Sequence, residues 1–279
     1  MSNGEGNDDG DLFDKNSPKE QIAARYLKGH LETTGVENEL LLTSPLMIPL
    51  EKVVYDPEGE VHINKDGLKL DFRYRTPSAD LDMDKLPINK DLPEGGSKPT
   101  RPEEIRILEE LSIERKGRTL KLSEALPPNC QIYFDPSRES LIDAPSSAVD
   151  TVGRKVMIFG DLTKLGNVAS LFHEAGHLWD VDPEKNPEYV DTVGTSVFVL
   201  DFSIYEDSPF DNLMSNQVGE VVLKSERHAW AFALKRLKPF IDNIDSPINV
   251  KVLSVIIHNR CLKSYSDLIK HALNKIKSS

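Results

Sequence analysis

One stretch, residues 161–180, constrains this chain more than any other, because its apolar residues recur at helical spacing. Val168, Leu171, Phe172, Ala175, Leu178 and Trp179 follow one another at intervals that place them on one face of an α-helix. Asp161 or Thr163 stands where the N-cap of such a helix belongs. So continuous a stripe must lie against a core, since each Å² left in water costs roughly 25 cal/mol. The other side carries Gly166, Asn167, Ser170, His173, Glu174 and His177, which are polar or small. That composition predicts the floor of a cleft rather than a solvated face.

His173 and His177 are one helical turn apart, so both imidazoles leave the same face. Two neutral imidazoles so placed reach one zinc ion at about 2.0–2.1 Å each. Glu174 follows the first histidine and points toward the side of the ion where an open coordination position lies. There it can act as general base on a water whose pKa the metal lowers to about 7. The run His173-Glu174-Ala175-Gly176-His177 thus supplies two ligands and a base. The competing reading is a surface helix with two exposed histidines and a solvated glutamate. The capped amphipathic helix, following an apolar strand at 155–159, argues against it.

A catalytic zinc takes a third protein ligand. Asp180 and Asp182 are near, but Asp180 lies a turn beyond His177, too far along the axis. The elongated metzincin pattern needs Gly at 180 and His or Asp at 183, where Asp180 and Pro183 stand. A Gly-Thr-x-Asp ligand pattern fails at Gly194-Thr195-Ser196-Val197. The best candidate is Glu226, in the run Ser225-Glu226-Arg227-His228-Ala229-Trp230. This run is helical by propensity, with Val222, Ala229 and Phe232 or Ala233 sharing a face on or near Glu226. Ser225 and Ala229 are small enough to let a second helix approach. A donor for the negative oxygen of a hydrolytic transition state is also needed, and His228, Tyr205 and Tyr189 are the options. His228 is two residues from Glu226 and so faces another side of a regular helix. His30, His62, His258 and His271 fall outside any ligand spacing.

The HEAGH run followed some fifty residues later by Glu226 resembles the gluzincin clan of zinc metallopeptidases, and most of all its compact minigluzincin members. The resemblance covers roughly residues 150–240. It implies a zincin-like catalytic domain with a small mixed sheet, an active-site helix and a mainly helical C-terminal part. It makes His173, His177 and Glu226 ligands of Zn2+ and Glu174 the catalytic base. The strand at 156–159 resembles the substrate-aligning edge strand of that clan.

The rest of the 279 residues reads as α+β. Residues 1–16 are Gly, Asn, Asp and Ser rich and predict a disordered acidic tail. A capping box at Ser17-Pro18-Lys19-Glu20 opens a helix, and strands follow from residue 40 to 75, with turns at Asp56-Pro57-Glu58-Gly59 and Asp66-Gly67. Residues 17–76 thus form an N-terminal α+β region. Residues 77–101 are a proline-rich linker or loop, and 102–279 form the catalytic domain. Thr100-Arg101-Pro102-Glu103 reads as another capping box, opening a helix with Ile105, Leu108, Leu111 and Ile113 as its buried stripe. Gln131-Ile132-Tyr133-Phe134 reads as a strand, and the helices after Pro247 as packing elements without chemistry.

A net charge of -12 argues against nucleic acid or an anionic membrane as partner. No apolar run reaches the eighteen or so residues of a membrane helix. The acidic N-terminus is unlike a signal peptide, and two cysteines, Cys130 and Cys261, fit a reducing cytoplasm. The expected activity is cleavage of a peptide or protein substrate. The alternative is a metallopeptidase-like regulatory or binding module with little turnover.

Overall fold

The computed structural model describes residues 50–88, 100–138, 147–180, 187–204, 208–244, 250, 253–254 and 257–278. The expected acidic tail, the helix from Ser17 and residues 89–99 of the proline-rich segment lie outside them. Among the described residues the protein is mixed α and β, with eight strands in one sheet and five α-helices.

The strands are β1 (Glu51–Asp56), β2 (Gly59–Ile63), β3 (Lys69–Arg75), β4 (Arg106–Arg115), β5 (Arg118–Lys121), β6 (Gln131–Asp135), β7 (Ser147–Asp150) and β8 (Lys155–Phe159). They run in the order β1-β2-β3-β4-β6-β8-β7, with β5 paired to β4. The β1–β2 hairpin turns at Asp56–Gly59 as expected, and Glu58 N–H donates to Asp56 Oδ1 at 3.1 Å. Leu70 and Phe72 alternate into the core from β3. The strands before and after the proline-rich segment, β3 and β4, are direct antiparallel neighbours. Among the described strands only β6 and β8 pair in parallel, and β7 returns antiparallel to β8 on its other side.

The helix expected from Thr100 is absent. Pro102–Glu104 form a single 3-10 turn, Thr100 Oγ1 makes no hydrogen bond among the described residues, and the chain continues as β4. The misleading spacing has a local cause. Arg73 pairs with Glu110 while the next residue, Tyr74, pairs with Leu108, so Glu109 bulges out of the ladder. The extra residue shifts the phase of β4, so Leu108 and Leu111 both face the core. With Ile105 they imitate a helical stripe.

The helices are α1 (Leu122–Ala125), α2 (Leu165–Asp180), α3 (Pro187–Ser203), α4 (Asn216–Ile241) and α5 (Lys263–Ser278). In α2, Val168, Leu171, Phe172, Ala175 and Leu178 are buried as the spacing required. Fully burying a residue such as Phe172 or Leu171 is worth about 1.5–3 kcal/mol. Trp179, expected in the same stripe, is 37% exposed at the helix end. Asp161 accepts a hydrogen bond from Thr163 N at 2.8 Å, shaping the turn before α2 rather than capping its first residues. Helix α4 is capped by Ser215, whose side chain accepts from Val218 N. Arg115 of β4 donates to the backbone oxygens of Phe240 at 2.8 Å and Asn243 at 3.1 Å, tying the end of α4 to the sheet.

The polar side of α2 is covered as well. A Cβ at Gly176 would lie 2.7 Å from Ala229 Cα, so α2 and α4 meet at backbone contact. His173 and His177 are therefore buried where α2 meets α4, and Glu174 is buried beside them, facing Ser147 of β7.

Candidate metal centre

Three side chains converge where α2 crosses α4. His173 Nε2 lies 3.1 Å from His177 Nε2. Glu226 Oε2 is 3.3 Å from His173 Nε2, and its Oε1 is 3.3 Å from His177 Nε2. All three residues are buried, and their donor atoms form a group able to hold a metal ion. Donors placed tetrahedrally about 2.0–2.1 Å from one ion stand about 3.3 Å apart; here the two imidazole nitrogens are 3.1 Å apart and each faces its own Glu226 oxygen at 3.3 Å. Glu226 Oε2 and His173 Nδ1 make no hydrogen bond among the described residues. Two imidazole nitrogens and a carboxylate facing one another, with an oxygen left over, form a donor set that suits a divalent cation.

The surrounding residues orient this set. Ser225 Oγ sits 3.2 Å from His177 Nδ1, so a proton there leaves Nε2 free as ligand. Trp230 stacks on His173, with ring centroids 4.1 Å apart. Ser225, Glu226, Ala229 and Trp230 all belong to buried positions of α4. The small residues read from the sequence thus permit the approach expected of them.

The charges of the three side chains are coupled. Burial opposes a charge on His177, but the Glu226 carboxylate outweighs it and raises the imidazole to about 9. Burial likewise opposes ionisation of Glu226, yet His177 and His173 hold its carboxyl well below the usual range.

Glu174 lies beside the triad, with Oε1 4.0 Å from His173 Nε2. That oxygen accepts a hydrogen bond of 2.6 Å from Ser147 Oγ on β7. Of the three transition-state donors expected from the sequence, Tyr205 lies outside the described residues. Tyr189 OH donates to Asp180 Oδ2 at 3.1 Å, and His228 Nδ1 is 3.3 Å from the same oxygen. Asp180 therefore serves these two groups. His228 Nε2 has no hydrogen-bond partner among the described residues.

Two polar neighbours of the site were not anticipated. Ser147 is one. The other is Tyr265 on α5, from a region read as pure packing. The negative charge of nearby Glu226, burial and the charge of Glu174 keep its phenol proton on well above the usual range. Close α4–α5 packing places it, since a Cβ at Gly219 would meet Ile269 Cγ2 at 2.6 Å. Neither residue carries a spacing signal, because neither shares an element with the ligands. One expectation is also corrected. β8 is not an edge strand, since β6 and β7 flank it, and among the described residues β7 is outermost on that side.

Comparison of the chain with known protein families, curated proteins and solved structures finds no match. No helix among the described residues is long and apolar enough to cross a membrane.

Proposed function

We propose that this protein is a zinc-dependent metallopeptidase of gluzincin type with a zincin-like fold. The observation that carries the reading is the convergence of His173, His177 and Glu226 at 3.1–3.3 Å, with Glu174 beside them on the helix of the two histidines. His173, His177 and Glu226 would hold the ion. A bound zinc supplies a Lewis acid that polarises the substrate carbonyl and makes its water acidic.

The chain's own residues do the rest. Ser225 fixes the ring of His177, and the stacked Trp230 fixes that of His173. Glu174 takes a proton from the attacking water and delivers it to the leaving amine. Tyr265, a phenol close enough to feel the charges of Glu226 and Glu174, joins His228, Tyr205 and Tyr189 as a donor for a developing negative oxygen. The role of aligning an extended substrate passes from β8 to β7, whose outer edge has no strand partner among the described residues.

The test is metal analysis together with a peptide-library cleavage assay on wild type and Glu174→Gln. The expected result is one zinc per chain in both proteins and hydrolysis in wild type alone. A protein that neither carries nor binds zinc sinks the reading. Zinc-loaded wild type without turnover favours a regulatory or binding module instead.

A further inference from the structure

Ser147 opens β7, paired with Ile158 of β8, and reaches across to α2. Its Oγ donates to Glu174 Oε1 at 2.6 Å. Glu174 is 5% exposed, and no other hydrogen bond reaches it among the described residues. A carboxylate has two oxygens of equal intrinsic basicity, and a hydroxyl on one of them breaks that equality. The engaged oxygen has a lone pair already committed, so its partner is the better proton acceptor.

We infer that Ser147 is the positioning residue of the general base, engaging Oε1 so that Oε2 is the oxygen that carries the proton. This rests on the hydrolase reading above. As the water oxygen bonds to the substrate carbonyl carbon, the carbonyl π pair moves to its oxygen, one water O–H bond breaks and its proton passes to Glu174 Oε2. As that oxygen re-forms the C=O bond, the carbon–nitrogen pair leaves with nitrogen, which takes the same proton from Oε2, and Glu174 is again a carboxylate. Oε1 stays on Ser147 throughout, so the side chain keeps one rotamer across both transfers. Because all four residues of β7 pair with β8, the sheet sets the position of Ser147 independently of Glu174. Hydrogen bonds to an ionised group are about twice as strong as neutral ones, which suits a hydroxyl for holding a base in place.

A hydroxyl that only satisfies a buried carboxylate would affect stability and leave turnover alone. The two roles separate in Ser147→Ala, Ser147→Thr and Glu174→Gln, each assayed with a quenched-fluorescent peptide library and by zinc content. Ser147→Ala should lower kcat about ten- to hundredfold, with KM within about twofold and one zinc retained, because misplacement of a reacting group by about 1 Å costs that much. Ser147→Thr, which keeps the hydroxyl, should recover most of the loss. Wild-type kcat in Ser147→Ala, or a threonine variant as poor as alanine, overturns the inference. Full activity in Glu174→Gln instead overturns the hydrolase reading. A second measurement needs no turnover. In protein stripped with a chelator, thermal midpoints of Ser147→Ala, Glu174→Gln and the double variant should be non-additive. Additive shifts would show that the two side chains do not interact, and the inference falls whatever the protein cleaves.

Discussion

His177 and Glu226 are each shifted by the other, and those shifts set how the centre meets a metal. Binding requires a neutral imidazole, yet His177 in the metal-free protein holds its proton up to about 9. Metal binding at pH 7 should therefore release close to one proton per ion. Affinity should rise about tenfold per pH unit through the neutral range and level off above the histidine's own pKa. Calorimetry in two buffers of different ionisation enthalpy counts the proton, and a count of zero contradicts the shift. Single residues were legible in the sequence to the extent that their partners were near in the chain. His173, Glu174 and His177 are neighbours on one turn, and Glu226 stood out through small residues beside it. Ser147 and Tyr265 were not legible, because what brings each to the site is sheet pairing in one case and helix packing in the other.

Among the elements, the α2–α4 contact decides whether the triad exists, and Gly176 is its tightest point. Helix propensity alone favours Gly176→Ala by about 1 kcal/mol. Its new Cβ, however, would stand 2.7 Å from Ala229 Cα, and backbone cannot step aside as a flexible side chain does. Overpacking of this kind costs about 1–3 kcal/mol, so the variant should melt lower and bind zinc more weakly as Glu226 is displaced. Gly194→Ala in α3 is the matched control. Nothing lies within 4 Å of its Cβ position, so the same change there should raise the melting temperature slightly. Differential scanning calorimetry of both variants reads the contrast, and equal shifts would refute it. The β1–β2 hairpin, β3, β6, β8 and α2 were readable because turn chemistry and periodicity are local signals. β4 was not, since the bulge at Glu109 is defined only by its pairing with β3.

For the molecule as a whole, the same two groups tie stability to pH. The raised His177 pKa favours the folded metal-free protein fully below about 6.5, and that contribution is lost as pH rises through about 9. The lowered Glu226 pKa contributes above about 4.5 and is lost as pH falls below that. Chelated protein should therefore melt highest between these limits and progressively lower toward pH 9. If zinc is the ion this centre takes, zinc at about a thousand times its Kd should add about 4 kcal/mol, a rise on the order of 10 °C for a chain of this size. Thermal scans with chelator and with zinc across pH 5 to 9 measure both effects, and curves that stay parallel would refute the linkage. By itself the sequence determined an amphipathic helix, its two histidines and glutamate, a second helix with a glutamate among small residues, and most of the strands. All of these follow from repeats a few residues long. The tertiary structure alone decided that β4 is a strand, that β7 lies outside β8 among the described residues, and that the polar face of α2 meets α4 at backbone contact. It also decided that Ser147 and Tyr265 reach the site, because contacts between distant segments depend on packing and register, which no local pattern encodes.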